Sequence, residues 1–414
     1  MRLDEFLETD LTDDRAEQRR LAQAKSYRIT EYIEDVPDRF EALQGDTLVG
    51  STAPEIFVGR SGYPDVSAGV LSPVGDEDNA AAYATQGGWY GTDIETVLDR
   101  RTGLLNSRRR TDVNVRDVWD GFVGAQREVA IADRPVDIEI GLSERPQLDL
   151  SVGQVRTPTG PDATAESIDL TENPHVPRPV KKTLEDDDWR AEGAMTYLYR
   201  RGYDVYEIND ILSAGALGRG EQRRLVPTRW SITAVDDTIG QYLRGRIDTA
   251  TAIDQVEVWY NEYLGNRFWV VLGPAQWEFE LVEMKAPGSV WNPQGSQHQL
   301  MADYEGHAGR SKYVEETAGA YYAARLAVLE ALAERDRQAT CLVLREVTDD
   351  YWAPVGVWQI REAVRNAFEG EPAVAETFQG AVDRILTRLP VAAPRLRRKS
   401  TLVAGRQAPL DAFE

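Results

Sequence analysis

One cysteine and three histidines stand among 414 residues, and only six of the 47 basic side chains are lysine. A single cysteine, Cys341, excludes a disulfide scaffold and a cysteine-based zinc site. It sits in the apolar run Ala339 to Leu344, which reads as a buried strand, so an inert core thiol is expected. His175, His298 and His307 cannot form a histidine-rich metal cluster unless folding gathers them. The chain has neither a Gly-x-x-x-x-Gly-Lys-Ser/Thr loop nor a His-Glu-x-x-His pair, the signatures of phosphate-loop ATPases and zinc proteases. No apolar run approaches the ~20 residues of a membrane span. The opening residues Met1 to Phe6 carry no apolar signal core. The expectation is a soluble, cytoplasmic protein with no membrane partner, no cofactor and no metal.

What is present is acid, dispersed along the whole chain to a net charge of −22. Dispersed acidity with scarce lysine suits a salt-rich cytoplasm, where screening makes crowded like charges tolerable. Such acidity says little about partners. It leaves DNA open as one, although attraction to phosphates is weak in high salt.

The pattern of apolar residues mixes strands and helices without regular βα alternation. It predicts an α+β fold, with mixed or antiparallel sheets, packed helices and a disordered C-terminal tail. Strands are expected at 55–58, 66–71, 136–140, 148–155, 254–261, 267–273, 277–285 and 340–347. Helices are expected at 13–35, 93–105, 115–128, 189–201, 204–213, 233–246, 312–337, 357–368 and 372–388. Residues 75–92 and 157–179 read as loops. The low-apolar stretch 286–310 marks a boundary. The organisation expected is an α+β domain over 1–285, a helix-rich α+β domain over 286–390, a basic, proline-containing linker over 391–406, and a binding motif at 407–414. Two prolines, Pro390 and Pro394, and the run Arg395 to Lys399 argue for a solvated tether there. Its cations either touch DNA phosphates or keep the tail solvated.

The motif itself is Gln407-Ala408-Pro409-Leu410-Asp411-Ala412-Phe413-Glu414. In one turn of helix Leu410 and Phe413, three apart, share a face and form a two-pronged apolar plug. The Gln407 amide precedes them as donor and acceptor. This resembles the PIP motif, by which repair and replication proteins hold the DNA polymerase sliding clamp, PCNA. Usual versions carry two adjacent aromatics, and here the second position is Glu414.

Further blocks resemble the Nre family of archaeal DNA repair proteins. They are Phe57-Val58-Gly59-Arg60-Ser61-Gly62-Tyr63-Pro64, Leu212 to Gly218, Leu225 to Thr233 and Gly356 to Glu362, together with the C-terminal motif. The likeness covers nearly the whole chain. It implies a role in DNA damage repair and clamp binding through the C-terminal residues, and it implies no chemical mechanism. Some members carry a four-cysteine zinc element near the N-terminus; this chain has no cysteine before Cys341.

Three places carry the residue types that contact nucleic acid or do chemistry. In the loop Gly59 to Pro64, Arg60 suits a phosphate and Tyr63 a base; the alternative is a tight turn with Tyr63 packed inward. Arg229 and Trp230, after Arg223 and Arg224, offer the same pairing of cation and ring, or else an ion pair and a core aromatic. Arg108 to Arg110 read as solvated surface. In Glu278 to Lys285, alternation puts Glu278 and Glu280 on one strand face and Glu283 and Lys285 on a shared face. Glu283-x-Lys285 is half of the motif of many Mg²⁺ nucleases, so a metal-dependent nuclease or phosphodiesterase is the rival reading; an exposed sheet face is the plainer one. His307, Arg310 and Lys312 offer another polar pocket or plain surface.

Overall fold

The computed structural model describes residues 47–405, except 85–86, 116–120, 144–145, 147–158 and 294. The segments 13–35 and 148–155, expected as a helix and a strand, lie outside the described residues. The described residues fall into two compact units that divide at Ile239/Gly240.

The first unit is built on a mixed sheet. Its strands are β1 (Thr47–Ser51), β2 (Ile56–Val58), β3 (Asp65–Pro73), β4 (Leu104–Asp112), β5 (Asp137–Leu142) and β6 (Asp162–Leu170), ordered β1-β5-β6-β4-β3-β2. Only the β4–β6 pairing is parallel. Its helices are α1 (Ile94–Thr102), α2 (Gly121–Ile131), α3 (Arg178–Glu185), α4 (Ala191–Tyr199), α5 (Val205–Ser213) and the first part of α6 (Thr228–Ile247). The expected hairpin of β2 and β3 forms in antiparallel register, Ile56 opposite Val70.

Two differences from the expected elements share a cause. β4 carries Arg108 to Arg110, and β6 replaces the expected loop over 157–179. Neither sustains the run of large apolar residues that marks a strand: β6 alternates through small and polar residues, with Ala163 and Ala165 buried, and β4 buries Leu104 to Ser107 before its arginines turn outward. Helix α5 opens on a local signal, since Asp204 and Glu207 form a reciprocal capping box at its start.

The second unit has a mixed sheet of β8 (Val256–Tyr263), β9 (Asn266–Gly273), β10 (Glu278–Lys285), β11 (Gln299–Glu305), β13 (Thr340–Val347) and β14 (Ala373–Ala375), ordered β11-β10-β13-β9-β8-β14. A two-stranded pair, β7 (Thr251–Ala252) and β12 (Arg337–Gln338), stands apart. Helices α7 (Gly319–Glu334), α8 (Trp358–Ala367), α9 (Phe378–Leu386), α10 (Ala393–Lys399) and α11 (Thr401–Ala404) complete it. Because β8 to β10 share one sheet with β11 and β13, the compact units divide well before residue 285.

Both faces of this sheet are covered. Val282 and Met284 cluster with Val382, Leu396, Leu402 and Val403 of α9 to α11. Phe279, of opposite parity on the strand, meets Tyr321 of α7 edge-on at 5.1 Å. Successive strand residues point to opposite faces, so α7 lies on one side and α9 to α11 on the other. α7 is buried on nearly all sides, unlike the long amphipathic helix expected over 312–337. The residues before it are held open instead: Asp303 accepts from the backbone N–H groups of Glu315, Glu316 and Thr317. Cys341 is fully buried on β13, and burial pushes its thiol well above the usual value.

The chain over 391–404 is a correction to the solvated tether. α10 and α11 pack against the sheet, with Leu396 and Val403 both 0% exposed. Leu396, Leu402 and Val403 supply apolar anchors spaced for short helices, and two prolines mask that spacing in the sequence. The expected cations are mostly used within the unit: Arg397 pairs with Asp383 at 2.8 Å, Lys399 with Glu316 at 2.5 Å, and Arg395 donates to the carbonyl of His298.

Candidate functional site

The loop Gly59 to Pro64 leaves β2 and returns as β3. Gly62 has φ +85°, and a Cβ there would lie 2.8 Å from the Asp65 carbonyl, so the turn requires glycine. Arg110 on β4 clasps the loop by pairing with Asp65 at 2.7 Å and donating to the Ser61 carbonyl at 3.3 Å. The end of β2 is tied to the start of α6, because Val58 N–H donates to Thr228 Oγ1 at 2.9 Å. Beside that tie the Tyr63 ring lies 5.4 Å from the Trp230 ring, tilted by 50°.

Folding thus brings Tyr63 against Trp230, some 170 positions on in sequence, and with them the blocks that carry Arg60 and Arg229. The four side chains are not equally accessible. Trp230 is 7% exposed and serves as packing, Tyr63 is half-buried, and Arg60 and Arg229 are exposed. The tryptophan thus fills core, as the plainer reading of its block has it, while the cations face solvent.

The blocks at 212–218 and 225–233 meet one another next to this loop. The Ser213 and Ser231 hydroxyls lie 2.6 Å apart, and Val226 N–H donates to the Ser213 carbonyl. Gly215, at φ +67°, lets Arg224 backbone approach to where a Cβ would be 2.7 Å away. Arg127, buried on α2, donates to the carbonyls of Val115 and Ala214; burial, reinforced by nearby Arg223, lowers its pKa to about 10. Arg223 is likewise buried and donates to the carbonyls of Thr183, Leu184, Asp186 and Gly218. It is a structural clamp, while Arg224 is exposed. Arg108 pairs with Asp162 at 2.8 Å and Arg109 donates to the Glu166 carbonyl, so this strand's cations are exposed yet engaged.

In the second unit the strand parity is as expected, and its surroundings are not. Glu280 and Glu283 are 1% and 2% exposed, which corrects the exposed sheet face. Glu280 faces α11, where its carboxylate accepts from Ser400 Oγ and from the N–H groups of Thr401 and Leu402 at 2.7–2.8 Å. Burial raises its pKa, and those bonds recover only part of the shift. Glu283 faces the other way and ion-pairs with Arg345, its neighbour across the parallel β10–β13 ladder, and with Lys285 at 3.3 Å. Burial pushes the Glu283 carboxyl up, and Lys285 and Arg345 outweigh it, so the carboxyl sits below its ordinary value.

Carboxylates on opposite faces of a strand cannot share one ion. Among the described residues no group of three or more His, Cys, Asp or Glu is placed to hold a metal. Arg345 and its second partner Asn266, whose Oδ1 accepts at 2.7 and 3.0 Å, were invisible in sequence because each lies about 60–80 residues from its mate. His307 is exposed, 3.7 Å from Asp248, and Arg310 donates to the carbonyls of Tyr304 and Tyr313. Arg310 Nε also reaches the Lys312 carbonyl, at 3.5 Å. Gln407 to Glu414 lie outside the described residues.

Comparison with known proteins follows the same blocks. The family described as "Archaeal Nre, N-terminal" matches residues 21–292, and "Archaeal Nre, C-terminal" matches residues 305–413. The chain is 63% identical to the DNA repair protein NreA of Haloferax volcanii over the full length of both. It is 39% identical to the DNA repair protein NreA of Archaeoglobus fulgidus, covering 81% of this chain and 83% of that one. It is 35% identical to the DNA repair protein NreB of the same organism, covering 88% and 92%. No solved structure matches.

Proposed function

The chain belongs to the archaeal Nre family, and from that premise we propose that it is a DNA repair factor held at DNA by the sliding clamp PCNA. Relatives named DNA repair proteins support the repair role. The clamp tether rests on one observation, the spacing of Gln407, Leu410 and Phe413, and the match to the C-terminal family region runs through Phe413. Ala408, Pro409, Asp411, Ala412 and Glu414 complete the hook.

Burying a leucine and a phenylalanine yields about 3–6 kcal/mol gross, before the cost of ordering the segment and joining two bodies. That makes an exchangeable tether. The folding of α10 and α11 shortens its reach. Val403 is fully buried, so three residues separate it from Gln407, and a chain extends at most ~3.6 Å per residue. The clamp therefore docks close to the α9–α11 side of the second unit, and a short tether gives a high local concentration at DNA. Arg60, Tyr63 and Arg229 are the proposed DNA contacts of the first unit, with Trp230 supporting Tyr63 from beneath.

Deleting residues 407–414 is expected to abolish clamp binding in calorimetry while leaving the melting temperature unchanged. Equal affinity for truncated and full chains refutes the tether. The rival metal-dependent nuclease built on Glu283 and Lys285 lacks comparable support, because both side chains are committed to a buried ion-pair network.

A further inference from the structure

Helices α3 and α4 in the first unit carry a cluster that none of the readings above uses. The Lys182 ammonium lies 5.5 Å from the Trp189 ring centroid and 5.1 Å from that of Tyr197. The two rings meet edge-on at 5.0 Å, and the Arg201 guanidinium covers Tyr197 at 5.3 Å. An open groove of about 610 Å³ runs along Trp189, Tyr197 and Arg200. Both rings are part-exposed, and Lys181, Lys182, Arg200 and Arg201 are exposed or nearly so. Among the described residues no salt bridge takes up any of these four cations.

That is unusual in this chain. From Arg178 to Arg201 six basic residues stand against five acidic ones, in a protein of net charge −22, and two of its six lysines are adjacent here. One of those acids, Asp187, is already paired with Arg223 at 3.4 Å. Asp188, Arg190 and Glu192 also line the groove.

We propose that this groove binds unpaired DNA, its backbone crossing the Lys181–Lys182 and Arg200–Arg201 pairs and a base stacking on Trp189 or Tyr197. Rings held by cations at fixed angles are stacking platforms, and stacking is indifferent to sequence because every base has a π-face. Base pairs in a duplex keep their faces covered, so only a splayed or single-stranded base reaches these rings. Asp188 and Glu192 oppose a continuous run of phosphates and can accept from the amino edges of a flipped-out base. In concentrated salt, where the Debye length falls to roughly 3 Å at 1 M, stacking outlasts charge attraction. The inference rests on the repair reading for its choice of DNA as ligand, and it does not depend on the clamp hook.

The experiment uses the full chain and fluorescence anisotropy with a labelled 15-nucleotide mixed-sequence strand, the matching duplex, and the same strand made abasic. The expected order is single strand tightest, with the abasic strand and the duplex each weaker by about tenfold or more. Trp189→Ala with Tyr197→Ala should weaken single-strand binding by a similar factor, and Trp189→Phe with Tyr197→Phe should restore most of it. Lys182→Gln, at an exposed position, should lower the salt slope of log affinity by about one. Melting temperatures of all variants check folding, and clamp affinity should be the same for each. Equal binding of the abasic strand or of the duplex, unchanged affinity in the folded variants, or no oligonucleotide binding by the parent chain overturns the proposal. Clamp binding lost on deletion of 407–414 would stand in any of those cases.

Discussion

Replacing Arg345 with methionine should turn the buried carboxylate of Glu283 from an asset into a liability. Glu283 is 2% exposed and Arg345 is 3% exposed, so no water replaces the missing guanidinium. Lys285, at 3.3 Å, remains as a cation partner, and its ammonium is also drawn towards Met301 Sδ and the Trp291 ring. Asn266 Oδ1 loses both of its Arg345 donors. Removing one member of a buried pair costs about 3–5 kcal/mol, chiefly through the charge left behind. For a unit of this size that is a fall in melting temperature of roughly 6–20 °C.

The pH dependence follows from the sign of the shift. Glu283 titrates below its ordinary value in the folded chain. Its contribution is therefore complete above the unfolded value and is lost as pH falls through the lower folded value. Without Arg345 the depression shrinks, so parent and variant melting temperatures should converge as the pH drops below the ordinary glutamate range. The double variant Arg345→Met with Glu283→Leu should recover much of the loss, since apolar packing often replaces a buried pair at little cost. Thermal unfolding followed by circular dichroism at fixed salt reads all three proteins. A single variant melting within about 2 °C of the parent refutes the reasoning and frees Glu283 for other work.

Gly62→Ala should destabilise the first unit by about 1–2 kcal/mol, because an alanine at φ +85° is strained and its Cβ meets the Asp65 carbonyl and Arg110; an unchanged melting temperature would mean the loop relaxes freely. Glu280→Ala should cost about 1–3 kcal/mol by stranding the Ser400 hydroxyl and the Leu402 N–H, which are both buried, with the loss offset in part by relief of a desolvated carboxylate. Hydrogen exchange should show faster opening at 400–404 in that variant, and protection equal to the parent would count against the anchoring of α11.

The elements most legible in sequence were those with large apolar side chains in simple periods. The β2–β3 hairpin and β8, β9, β10 and β13 fall close to their expected places, and so do α4, α5 and α8. Strands β4, β6 and β11 are hard to read in sequence because small, polar and charged residues fill most of their positions, and pairing with neighbours is what makes them strands. The stretch over 390–399 reads as linker because prolines and cations dominate it, and four-residue α11 is too short to show a period, while Leu396, Leu402 and Val403 do the packing. Of the candidate sites, the residue types around Gly59 to Pro64 and Pro227 to Ser231 were visible. That they adjoin was not, since contact across some 170 residues leaves no local trace.

By itself the sequence determined the class of fold, the scarcity of lysine and the spacing of Gln407, Leu410 and Phe413, because propensity, charge and spacing are properties of neighbours along the chain. Tertiary structure alone decided that Trp230 is packing, that Glu280 and Glu283 turn to opposite faces, and that Lys182 sits between two rings. Each of those outcomes depends on which surface a side chain meets after folding, and burial and partner choice are set there, by desolvation and by contacts between residues far apart in the chain.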